Sequence, residues 1–160
     1  MDRRNFVIAS GVAAASGIFS SSAFAQGKEG AGHQHDHGTP KARPVSAQLK
    51  ELQNSTFDCL KVGEVCLAQC NAVLAGGKTS MAECQTAVLN MLAVVDATSK
   101  VGTYNTADMK TLKSLARTCA DFCRVCEKEC KPHADAHPEC KDCMDACVRC
   151  YKACDAFIKA

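Results

Sequence analysis

Cys119 to Cys154 reads CADFCRVCEKECKPHADAHPECKDCMDACVRCYKAC, and it holds nine of the chain's thirteen cysteines. The first four, Cys119, Cys123, Cys126 and Cys130, are spaced 4, 3, 4. The next five, Cys140, Cys143, Cys147, Cys150 and Cys154, are spaced 3, 4, 3, 4. That alternation is the rhythm of a helix burying one face against other helices. Sulfur stands where Leu and Ile usually stand. The fold is therefore set by helical periodicity, and the function by what a core of thiols can do.

Working outward, the same register runs upstream. A first helix is expected from Pro44 to Ala75, ended by Gly76-Gly77, with a seam through Val45, Leu49, Leu52, Thr56, Cys59, Gly63, Cys66, Cys70 and Val73. Leu60, Leu67 and Leu74 widen that stripe and suit a subunit contact. Ser80-Met81-Ala82-Glu83 has the form of a capping box opening a second helix, with a seam of Met81, Cys84, Val88, Met91 and Val95 and an end near Gly102. Met91 is assigned to the core, with its thioether inside the column. The third helix starts near Thr106, continues through Met109, Leu112 and Ala116 into its four cysteines, and stops at Pro132. The fourth runs from Pro138 through its five cysteines to Phe157.

Short connections between four such helices predict an all-α, antiparallel up-down-up-down four-helix bundle over residues 44–160. In that topology every cysteine falls in one half. Leu49, Leu52, Val95, Met109, Leu112 and Phe157 are left as an apolar plug in the other. On helix 4 alone the cysteine column spans roughly 21 Å, at a rise of 1.5 Å per residue.

The remaining segments carry separate expectations. Arg3-Arg4 before the apolar run Val7–Phe19, with Ala23-Phe24-Ala25 after it, reads as a twin-arginine signal peptide over residues 1–25 and predicts a periplasmic protein with no membrane span after cleavage. Residues 26–43 read as a tail carrying His33, His35 and His37. A net charge of +2 gives no electrostatic case for nucleic acid. There is no Ser/His/acid set, no phosphate loop and no C-x-x-C in an α/β context, so no enzyme is predicted.

Three chemistries compete for the sulfur. Disulfides suit an exported chain, but thirteen is odd, and neighbours at i,i+3 and i,i+4 have Cβ atoms about 5–6 Å apart, wider than a disulfide takes. Zinc or iron–sulfur sites want discrete sets of four, and four thiolates on one Zn²⁺ leave a net −2 in a dry core. Cu(I) is soft, prefers thiolate, and is neutral at one ion per thiolate.

An exported four-helix bundle lined by thirteen cysteines, with C-x3-C-x2-C-x3-C runs on helices 3 and 4, resembles the bacterial copper storage proteins. The resemblance implies a homo-oligomer, a tetramer, holding many Cu(I) ions inside each protomer. It implies as ligands Cys59, Cys66, Cys70, Cys84 and the nine cysteines from Cys119 to Cys154. Met81, Met144, His133 and His137, near the helix 1–2 and 3–4 connections, are auxiliary candidates because thioether and imidazole suit exchangeable copper contacts. A disulfide-stapled scaffold and a zinc or iron–sulfur protein remain the alternatives.

Overall fold

In a computed structural model, residues 43–160 are described. Four helices make up the fold: α1 (Ala47–Ala75), α2 (Ala82–Tyr104), α3 (Met109–Cys130) and α4 (Pro138–Lys159). No strand occurs among the described residues. Each helix packs its backbone on two others, α1 on α2 and α4, α3 on α2 and α4, and the diagonal pairs approach only through side chains in the core. The register makes every neighbouring pair antiparallel. Cys70 meets Cys84 where α1 ends and α2 begins, while Gln53 near the start of α1 donates to the Gly102 carbonyl near the end of α2. Cys66 and Cys59 of α1 meet Cys140 and Cys147 of α4 in opposite order.

The helix ends follow local chemistry. Ser46 caps α1 by accepting from the Leu49 N–H, so the helix begins three residues after Pro44. Val45 therefore lies outside the helix and is exposed, a correction to its place on the seam. Gly77, at φ 81, turns the chain out of α1. The expected capping box at Ser80 does not form. Thr79–Met81 instead wind into a 3-10 turn that buries Met81, and α2 starts at Ala82 with no side-chain cap. Asn105, at φ 51, ends α2 in the left-handed region that Asn tolerates. Asp108 caps α3 by accepting from the Thr111 N–H. Cys130 ends α3, and a 3-10 turn over Lys131–His133 contains Pro132.

The core divides as the register demands. Leu49, Leu52, Val95, Leu112 and Phe157 are buried at the end that holds the α2–α3 connection. Met109 is not with them. It is the first residue of α3 and 40% exposed, too near the helix end to be covered. Thr56 lies between plug and sulfur and Thr98 within the plug, one turn past Val95, and each hydroxyl donates back to a carbonyl of its own helix. Their burial therefore leaves no donor unpaired. Arg43 and Asn105 close the plug end, Arg43 donating to the Ala107 carbonyl and Asn105 to the Arg43 carbonyl.

One glycine sets the α1–α2 approach. A Cβ at Gly63 would stand 2.8 Å from Leu92 Cδ2 and 2.9 Å from Met91 Cε. Both are tips of flexible side chains, so Gly63→Ala is expected to be close to neutral, the small displacement being offset by about 1 kcal/mol of helix propensity. Gly63→Leu cannot be accommodated at side-chain tips and should destabilise by about 1–3 kcal/mol. Urea denaturation of the metal-free variants measures both.

Candidate metal centre

All thirteen cysteines are free and have no solvent exposure. Every sulfur–sulfur separation among them exceeds the about 2.05 Å of a disulfide bond. The thiols lie opposite one another across the bundle axis: Cys84 and Cys130 are 3.6 Å apart between sulfurs, Cys70 and Cys84 3.8 Å, Cys66 and Cys140 3.8 Å, Cys126 and Cys143 3.8 Å, Cys59 and Cys147 3.9 Å, and Cys119 and Cys150 4.0 Å. The i,i+4 pair Cys126 and Cys130 stands at 3.9 Å along one helix face. All four helices thus contribute sulfur to one interior column.

The grouping within the column is specific. Five sets have every sulfur within 4.8 Å of the others: Cys66/Cys70/Cys84/Cys140, Cys66/Cys130/Cys143, Cys126/Cys143/Cys147, Cys59/Cys123/Cys147 and Cys119/Cys123/Cys150. Each set shares one cysteine with the next, through Cys66, Cys143, Cys147 and Cys123 in turn. The sites are not isolated quartets but a chain of overlapping triads that starts from one quartet at the end holding the α1–α2 and α3–α4 connections. A thiolate can bridge two ions, so shared corners suit a metal that sits at high density on few ligands each. Only the quartet has the four sulfurs that a closed zinc site needs.

Electrostatics rank the sulfurs. S–H donation from Cys123, Cys147 and Cys150 holds the Cys59 thiol well below the ordinary thiol range. Cys130 and Cys66 do the same for Cys84, Cys126 and Cys130 for Cys143, and Cys119 and Cys123 for Cys150. Their partners move the other way: Cys66 is raised first by its bond to Cys130, Cys147 by its bond to Cys123, and Cys154 by its bond to Cys119. Burial is the main cause that pushes Cys70 up to about 12 and Cys140 up to about 11. Four bare thiolates in one dry column would cost several kcal/mol each. The resting core is therefore neutral, and the lowered sulfurs are those that give up protons first when a cation arrives.

The auxiliary candidates gather at the same end as the quartet. Met81 is buried three residues before Cys84, and Met144 is half-buried against the core. His133 lies in the turn after α3, near enough to help lower the Cys84 thiol. His137 is the N-cap residue of α4 but makes no side-chain cap. Its Nδ1 is instead 3.0 Å from Gln69 Nε2 of α1, which ties α4 to α1 beside the quartet. Sequence reasoning had no signal for Gln69. It did place Met91 in the core, yet not the contact Met91 makes: its Sδ accepts from Cys59 Sγ at 3.5 Å. His33, His35 and His37 lie outside the described residues.

Comparison places this geometry. No curated protein matches the sequence. Several solved structures share the fold, among them two from Streptomyces lividans. One is described as copper loading to a cytosolic copper storage protein from Streptomyces lividans, with five coppers; it is 22% identical, covers 71% of this chain and 93% of its own, and has a TM-score of 0.64. The other is the copper storage protein Ccsp from Streptomyces lividans loaded with 10 copper equivalents, at 22% identity, 73% and 91% coverage and a TM-score of 0.65.

These relatives correct the expected periplasmic location, since the similar fold is that of a protein described as cytosolic. The twin-arginine segment from which export was expected lies outside the described residues. No helix among the described residues is long and apolar enough to cross a membrane. The copper storage protein model Csp matches residues 45–159, the whole of the helical bundle, and the chain belongs to the copper storage protein family.

Proposed function

We propose that this chain stores Cu(I) as its cargo, about one ion per cysteine, on the thiolates of the interior column. The overlapping triads carry this reading. Discrete zinc or iron–sulfur sites need separate sets of four, and the column offers one quartet followed by shared threes. A Streptomyces relative loaded with 10 copper equivalents is a precedent for many ions in this fold. Charge favours the same metal. Each Cu⁺ on one thiolate is neutral, so a filled column and an empty one both suit a low-dielectric core.

Met81, Met144, His133 and His137 are assigned to exchange of copper at the quartet end, where neutral, labile ligands release an ion more readily than thiolates do. The bundle is assigned to a homo-oligomer, a tetramer by family. Phe57 at 55% and Val65 at 53% exposure leave apolar surface on α1 that a second copy would cover. No catalytic role is proposed.

Loading exchanges a proton for a copper ion: the S–H bond breaks, the S–Cu bond forms, and the proton leaves to solvent. About one proton per Cu(I) should therefore appear in a pH-stat titration with a Cu(I) complex of known proton stoichiometry. The loaded state binds fewer protons than the empty one, so lowering the pH must weaken the apparent affinity. Uptake of copper without proton release would place the metal away from these thiols and end the storage reading.

A further inference from the structure

The α2 wall of the column is poor in thiols. It contributes Cys84 at the quartet end and then Val88, Met91 and Val95, all buried. Met91 is the one sulfur among these three. It is fully enclosed, and its Sδ stands 3.5 Å from Cys59 Sγ, closer than any thiol–thiol pair in the column. Cys59 itself belongs to the triad with Cys123 and Cys147. A second observation bears on the same side chain. α1 carries glycine where α2 crosses it, and a Cβ at Gly63 would stand 2.9 Å from Met91 Cε. The space that seats the Met91 methyl exists because residue 63 has no side chain.

We infer that Met91 is a copper ligand, its thioether completing the coordination of the Cu(I) ion carried by Cys59. The inference rests on the storage reading above and extends it to a residue outside the cysteine set. In the empty protein the Met91 lone pair accepts the Cys59 S–H. When copper replaces that proton, the lone pair already faces the incoming ion. Thioether is a soft donor suited to Cu(I). It also adds coordination without adding charge, so the site stays neutral in a dry core. Leu would fill the same volume without a donor atom, which is why the substitution Met91→Leu isolates the sulfur.

The test is selenium K-edge X-ray absorption on selenomethionine-labelled protein loaded with Cu(I), with copper per chain measured on the same samples. Because Met81 and Met144 are themselves assigned copper contacts, the measurement is made on Met81→Leu/Met144→Leu, which should still show a copper scatterer at bonding distance from selenium. Adding Met91→Leu to that background should remove the scatterer while the copper content stays unchanged, because every thiolate remains. If the triple variant fails to fold, the double variant decides by the presence or absence of the scatterer. A loaded double variant with no selenium–copper scattering, or scattering that survives the addition of Met91→Leu, overturns the role of Met91 and leaves copper storage standing. A chain that takes up no copper overturns both.

Discussion

Alanine at Cys66, Cys123, Cys143 and Cys147 together is expected to remove more than the four copper ions that charge counting alone assigns to four thiolates. These are the shared corners of the column. Without them Cys70, Cys84 and Cys140 still form a triad, and Cys119/Cys150 and Cys126/Cys130 remain as pairs, while Cys59 is left without its set. The control is alanine at Cys70, Cys119, Cys130 and Cys154, none of which is shared between sets. It leaves the sets Cys126/Cys143/Cys147 and Cys59/Cys123/Cys147 whole. Both variants delete four sulfurs and gain helix propensity equally. Elemental analysis after equilibration with a Cu(I) competitor should give the shared-corner variant the lower capacity. Equal capacities would mean that each cysteine holds its ion independently, and that the overlap has no role in storage.

The plug should behave in the opposite way. Leu52 and Leu112 are fully buried at the end away from the quartet. Truncation of either to alanine leaves a cavity and should cost the metal-free protein about 2–5 kcal/mol. That is a large part of the stability of a domain this size. Copper capacity should not change, since no sulfur moves. Denaturant melts of the empty protein and copper counts of the loaded one separate these effects. The prediction assumes that the empty bundle folds on its own, with neutral thiols packed as small apolar groups. Far-UV circular dichroism of the metal-free protein should accordingly show full helix content. A spectrum that turned helical only with copper would make folding metal-driven.

Much of this was legible in the sequence because sulfur and burial share one period. The 3-4 spacing fixed which face of each helix turns inward, and all thirteen cysteines are buried where that spacing puts them. The division into sulfur and plug followed from topology, since short connections force antiparallel neighbours. What was not legible depended on contacts between helices or on helix ends. The capping motif at Ser80 lost to a turn that buries Met81. Met109 fits the apolar period but sits on the first turn of α3, where nothing covers it. Periodicity places Met91 in the core, yet only the approach of α1 at Gly63 brings its sulfur to Cys59. The overlap of the triads has no counterpart in spacing along one helix. It arises from the registers between α1, α3 and α4.

The copper-to-protein ratio of the fully loaded, reduced chain, measured by elemental analysis at equilibrium with a competing Cu(I) chelator, tests the account most directly. A column of overlapping triads predicts saturation near thirteen ions per chain, about one for each cysteine. Saturation at three or four would contradict it, because separate closed sites, and not a shared thiolate column, would then hold the metal.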